Sequence, residues 1–205
     1  MSATVPGPDG RPRCGWCAAA PEFFHYHDSE WGFPVDDDRR LFEKLCLEGF
    51  QSGLSWRTIL AKRENFRAAF LDFDYHRLAA FDAHDVARLL QDPGIVRHRG
   101  KIEAAIHNAR MAQALVQREG SLAAFVWRYE APAPAVPQTR STSPESVALS
   151  KALKARGWKF VGPTTVYAFM QSVGMVNDHH PDCHCHGLSE QARKAFRRPA
   201  NRRPA

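Results

Sequence analysis

No run of apolar residues in this 205-residue chain approaches the ~20 needed to cross a bilayer. The opening, MSATVPGPDGRPR, lacks the apolar middle of a secretory signal. Both absences lead to the expectation of a soluble, cytoplasmic protein. Strand-type alternation of apolar and polar residues is scarce along the whole chain, which argues against a β-rich fold. The 5 cysteines (Cys14, Cys17, Cys46, Cys183 and Cys185) are an odd number. Disulfides are unusual in a reducing cytosol, so metal binding or burial is expected of these thiols and a disulfide framework is not. No internal repeat is visible.

Charge is unevenly spread. The formal net charge is +6, yet the segment after Gly187 holds Arg193, Lys194, Arg197, Arg198, Arg202 and Arg203 against Glu190 alone. Arg11 and Arg13 outweigh Asp9 at the other end, so the body from Cys14 to Gly187 carries no net charge. Bulk charge therefore says little about the body, and a basic tail by itself is a non-specific polyanion contact. The division expected is a disordered arm over residues 1–12, one domain over 13–187 and a basic disordered tail over 188–205.

What is abundant is helical periodicity. Leu41, Phe42, Leu45 and Cys46, then Trp56, Ile59, Leu60, Phe66 and Phe70, then Leu78, Phe81, Val86, Leu89 and Leu90 recur at helix spacing. Ser55, Asp82 and Ser143 stand where N-caps belong, the last followed by Pro144, and Gly120, Gly157 and Gly174 suit left-handed stops. The proline-rich stretch 131–144 reads as a surface connection. The fold class expected is an all-α bundle.

Metal-ligating residues gather at the two ends of the body. NDHHPDCHCHG (177–187) faces CGWCAAAPEFFHYHD (14–28) across the whole sequence, and together they hold four of the cysteines. Such N and S donors suit a closed tetrahedral zinc site that would clasp the ends together. Spacing leaves open which four bind, since Cys14 and Cys17 could equally join Cys183 and Cys185.

Beside the first cluster lie Trp16, Phe23, Phe24, Tyr26 and Trp31, with Trp56 further on, several of them in segments broken by Gly and Pro. Core filling accounts for most aromatic residues, but loops of this kind can also turn ring faces toward a flat ligand. Glu48 falls at the edge of the apolar stripe of its helix, where a carboxylate needs a partner or a ligand. Arg97, Arg99, Gly100 and Lys101 sit where a helix opens after a short turn, a place able to hold a phosphate.

The segments RCGWC, YHDSEWGFP, LFEKLCLEGFQSGLSW, GIVRHRGKI and KFVGPTTVYAFMQSVGMVNDH, followed by a terminal cysteine, resemble the 3-methyladenine-DNA glycosylase I family of helix-hairpin-helix glycosylases, in order and from about Arg13 to Gly187. The resemblance implies a structural zinc ion on Cys14, His27, His179 and Cys183, with Cys17, Cys185 and the remaining histidines as bystanders. It implies a base pocket lined by Tyr26, Glu48 and Trp56, with Trp16 and Trp31 as walls. Phe23 stands in it where relatives are expected to carry Tyr. The implied activity is monofunctional hydrolysis of the N-glycosidic bond of 3-methyladenine in double-stranded alkylated DNA, by a monomer that flips the base out of the stack. Glu48 is expected to be the catalytic residue, as base recogniser and electrostatic aid rather than strong base, and Arg97, Arg99, Gly100 and Lys101 are expected to meet DNA. No Asp occurs between Asp92 and Asp178, so the Asp that related glycosylases place after the hairpin has no counterpart. A zinc-stabilised DNA-binding module without activity is the rival reading of the same residues.

Overall fold

The computed structural model describes residues 3–131 and 141–200, and most of these are helical. A short antiparallel ribbon of β1 (Thr4–Pro6) and β2 (Pro12–Cys14) precedes α1 (Glu22–Ser29), α2 (Asp38–Gln51), α3 (Trp56–Ala61), α4 (Arg63–Ala69), α5 (Tyr75–Leu78), α6 (Ala83–Gln91) and α7 (Arg99–Glu119). α8 (Leu122–Val126), α9 (Pro144–Ala155), α10 (Pro163–Ser172) and α11 (His184–Ala195) complete the order.

The expected caps start the helices. Ser55 accepts from the Thr58 N–H, and Asp82 and Ser143 each close a capping box, with Pro144 at the first turn of α9. Gly120, Gly157 and Gly174 all adopt positive φ. Gly174 could carry no side chain in any case, since a Cβ would lie 2.5 Å from the Phe33 backbone. The expected run from Trp56 to Phe70 divides at Lys62, the C-cap of α3.

α2 is the central helix. Leu41, Phe42, Leu45, Leu47 and Phe50 are buried on all sides of it, and so are Glu43, Lys44 and Glu48. Residues 41–50 are buried on every side, charged ones included, so the helix runs through the inside of the body. α10, α7, α8 and α3 pack against it.

Both termini differ from expectation. The arm expected to be disordered over 1–12 forms the ribbon, with Thr4 paired to Cys14 and Gly10, at φ +77, turning the chain. Arg13 anchors it by pairing with Asp9 and Asp28. The tail expected to be disordered from 188 continues α11 to Ala195, because Cys185, Ser189 and Arg193 recur at four-residue spacing and are all buried. Arg193 is no tail charge. Its guanidinium donates to the Gly174 carbonyl at 2.6 Å and pairs with Glu130 at 3.3 Å. Composition misleads here because the stem of an arginine buries readily when its head is paired. The proline-rich connection falls largely at 132–140, outside the described residues.

Candidate functional site

A cavity of about 260 Å³ opens beside the central helix, lined by Trp16, Tyr26, Trp31, Glu48, Gln51, Trp56, Ala168 and Gln171. At ~30 Å³ per water this is space on the order of eight waters, the scale of one flat bicyclic base. A 3₁₀ turn over Gly15–Ala19 carries Trp16, α1 carries Tyr26, α2 carries Glu48 and Gln51, and Trp56 opens α3.

The rings form a continuous wall. Trp16 meets Trp31 edge to face at 5.2 Å between centroids, and Tyr26 lies 5.2 Å from Trp56 at 44°. Phe23 does not reach the cavity. It packs edge-on behind Trp16 at 5.5 Å and supports that wall from the core.

Glu48 is only 5% exposed, and among the described residues nothing donates a hydrogen bond to it. Burial pushes its carboxyl up to about 8, against the pull of the Lys44 ammonium. Burial also raises the Tyr26 phenol, with the charges of Glu48 and Glu30 adding to it. The Trp56 indole N–H is buried and has no partner among the described residues. Glu48, Tyr26 and Trp56 thus line one largely apolar cleft, the arrangement expected of a small-molecule subsite.

Sequence reasoning missed part of this wall. Gln51, Ala168 and Gln171 lie within the segments that carry the resemblance, but they are uncharged and the resemblance implies no role for them. Gln171 is held by Asp178, which accepts from its amide at 2.9 Å and from Tyr167 Oη at 2.6 Å. Leu54 was missed too. It is 45% exposed in the turn between α2 and α3, two residues before Trp56, and follows Gly53 at φ +78.

On the other side of α1 lies the Cys/His cluster. The donor atoms of Cys14, His27 and Cys183 lie within 4.8 Å of one another, and so do those of His27, His179 and Cys185. His27 Nδ1 meets Asp28 Oδ1 at 2.7 Å, which leaves its Nε2 facing Cys183 Sγ at 3.4 Å. His179 Nδ1 meets Asn177 Oδ1 at 2.8 Å, and its Nε2 is buried without a partner. Burial, with His27 next in effect, brings His179 down to about 4, so the ring is neutral as a ligand must be. The His180 N–H donates to Cys14 Sγ at 3.3 Å.

Three of the four residues implied by the resemblance, Cys14, His27 and Cys183, therefore lie within reach of one metal ion, while His179 shares its group with His27 and Cys185; Asp28 and Asn177 fix the two imidazoles from outside. Cys185 departs from the bystander role. It is fully buried and joins both histidines within donor distance, whereas Cys17, equally buried, belongs to none of these groups. Gly32, at φ +84, permits the approach, because a Cβ there would lie 2.5 Å from His179 Cε1.

The basic patch divides. Arg97 and Arg99 are exposed, Arg99 pairing with Glu103 at 3.4 Å, and Gly100 is the second residue of α7 after the His98 cap. Lys101 contradicts its expected role at the surface. It is 7% exposed, and its ammonium donates to the Phe50 and Ser52 carbonyls, capping the C-terminal end of α2. Beside this turn stands the loop before α10, where Phe160 is 40% exposed with its ring 6.5 Å from His98, and Gly162 starts α10 with no side-chain cap.

A family model described as methyladenine glycosylase matches residues 16–186. The DNA-3-methyladenine glycosylase 1 of Escherichia coli (strain K12) is 52% identical over 180 residues, spanning 85% of this chain and 96% of the relative. The DNA-3-methyladenine glycosylase of Haemophilus influenzae is 46% identical over 179 residues, spanning 84% of this chain and 97% of the relative. A crystal structure of a 3-methyladenine DNA glycosylase I superposes with a TM-score of 0.79 at 51% identity, over 85% of this chain and 99% of that one. A Tyr-to-Phe variant of a 3-methyladenine DNA glycosylase I, in complex with 3-methyladenine, superposes with a TM-score of 0.80 at 36% identity, over 83% and 95% of the two chains.

Proposed function

The chain belongs to the methyladenine glycosylase family, and from that premise we propose that it hydrolyses the N-glycosidic bond of 3-methyladenine in double-stranded alkylated DNA after swinging the base into the cavity walled by Tyr26, Trp56 and Glu48. The observation that carries this reading is the buried Glu48 carboxyl, to which no described residue donates, set among electron-rich rings in a cleft of about 260 Å³. Methylation at N3 leaves the adenine cationic and its bond to the sugar weak. The base then departs readily once unstacked.

Tyr26, Trp56, Trp16 and Trp31 hold the flat cation by stacking and cation–π attraction, and Glu48 accepts from its edge. A carboxylate close to the departing base also favours the charge of the bound state over the neutral base of intact DNA. No lysine lines the cavity among the described residues. That supports a monofunctional enzyme that uses water and forms no Schiff base.

The duplex is assigned to the face that carries three neighbouring turns, a helix-hairpin-helix arrangement. Arg97 and Arg99 there reach phosphate, and the uncapped N–H groups at Gly162 offer a second phosphate contact. Leu54, exposed in the turn between the cavity-lining residues Gln51 and Trp56, enters the stack where the base has left. One zinc ion on Cys14, His27, His179 and Cys183 supplies no chemistry to the reaction and ties the two ends of the domain together. The enzyme acts as a monomer in the cytoplasm, where the DNA is, and no described helix is long and apolar enough to cross a membrane.

Titration with free 3-methyladenine tests the pocket. Tryptophan fluorescence should be quenched by it and unchanged by adenine at the same concentration, and equal responses to the two would reject the assignment.

A further inference from the structure

Lys44 is a buried cation that the recognition scheme above leaves unused. It is 6% exposed on the central helix, four residues before Glu48, so the two side chains leave the same face of α2 one turn apart. Its ammonium lies 5.4 Å from the Tyr26 ring centroid and 3.6 Å from Glu30 Oε2. Glu30 is itself gripped by Arg63 at 2.8 Å. Lys44 therefore contacts the Tyr26 ring of the cavity wall but does not itself line the cavity.

A cation buried at this cost needs a function or a partner, and Glu30 is already shared with Arg63. We propose that Lys44 is a positioning residue for base recognition: its ammonium, fixed between Glu30 and the Tyr26 ring one turn from Glu48, opposes the burial of that carboxyl and eases its ionisation when the cationic base is captured. This rests on the pocket reading above.

The charged surroundings are few. Glu30 and Tyr26 face Lys44 from α1 and its C-terminal end, Arg63 faces it from α4, and Arg40 and Glu48 share its own helix. α10 presents Ala168 and Gln171 to the cavity and carries no charged residue. Among the described residues, Lys44 is thus the cation whose charge offsets the burial of Glu48.

Two readouts test this, the Glu48 carboxyl titration followed by ¹³C NMR in the free protein and the pH profile of 3-methyladenine release from alkylated duplex. Lys44→Met and Lys44→Gln should move both the half-ionisation of Glu48 and the acid limb of the profile to higher pH. The shift should be about one unit or more, as for removal of a neighbouring opposite charge. Lys44→Arg should restore both.

Superimposable titrations of wild type and the Gln variant, or an Arg variant displaced as far as Gln, overturn the proposal. If neither neutral variant folds, ¹⁵N NMR of Lys44 in the wild type decides: the amine must stay protonated throughout the Glu48 transition, and a neutral amine there overturns it. Wild type that releases no base defeats the pocket reading instead, and the carboxyl titration still judges Lys44.

Discussion

Tyr26 and His27 are consecutive on α1 and face different centres. The phenol ring stands 5.2 Å from Trp56 in the cavity wall, while the imidazole Nε2 stands 3.4 Å from Cys183 Sγ in the Cys/His cluster. Adjacent helical residues diverge by about 100°, so one short helix can couple a recognition wall to a clasp. Anything that lets α1 rotate must disturb both.

The clasp should therefore matter to stability before it matters to chemistry. Cys14→Ser and His179→Ala should lose bound zinc and melt at much lower temperature, since metal-binding energy in such sites is folding energy, about 10 kcal/mol or more in small zinc peptides. Cys17→Ser should retain the metal. Metal analysis alongside melting curves checks this, and loss of zinc from the Cys17 variant with retention by the Cys14 variant would reverse the ligand assignment. Cys185→Ser is the informative intermediate, because the thiol lies within donor distance of both histidines.

Trp56→Ala should weaken 3-methyladenine binding by roughly tenfold to a hundredfold, the ~1–3 kcal/mol of one base–aromatic stack. Phe23→Leu should change it little, because Phe23 stands behind Trp16 and not in the cavity. Titration of each variant with the free base distinguishes them, and a larger loss at Phe23 than at Trp56 contradicts the arrangement.

The basic turn should show two kinds of residue. Arg97→Ala and Arg99→Ala should each lower the salt dependence of duplex binding by about one released counterion, with fold stability unchanged. Lys101→Met should instead destabilise the fold by about 1.5–3 kcal/mol, the range for hydrogen bonds to a charged group. Denaturant melts and binding at several salt concentrations separate the two, and a salt slope reduced by Lys101→Met in a fully stable protein contradicts the α2 cap.

Glu48 should make stability depend on pH in an unusual sense. Its folded-state carboxyl is raised to about 8 by burial, above the ~4.3 of a free Glu. Between those values the folded protein holds a proton that the unfolded chain has released, so stability falls as pH rises through that window and levels off above about 8. Glu48→Gln should lack that fall, and its melting temperature should gain on wild type across the window while base release is lost. A constant difference in melting temperature from acid to alkaline pH contradicts the burial of an ionisable group there.

Much of this was legible in the sequence because the relevant signals are local. Ser55, Asp82 and Ser143 read as caps since a cap depends on a few neighbouring residues, and the helices of the bundle follow from apolar spacing. Tyr26, Glu48 and Trp56 were picked out by resemblance, and their convergence on one cavity is a tertiary fact. What escaped was set by long-range partners. Lys101 looks like a phosphate ligand until the carbonyls of Phe50 and Ser52, some fifty positions earlier, are brought under its ammonium. Arg193 looks like part of a solvated tail until Gly174 and Glu130 bury it. Gln171 and Leu54 fall inside segments of the resemblance but are uncharged, and only the position of the cavity gives them meaning.

The most direct measurement is product analysis of bases released from methylated duplex DNA by the folded, zinc-loaded protein. The account expects free 3-methyladenine from wild type, with release lost in Glu48→Gln and Trp56→Ala variants that still melt cooperatively. No release by wild type, or release undiminished in both variants, would contradict it.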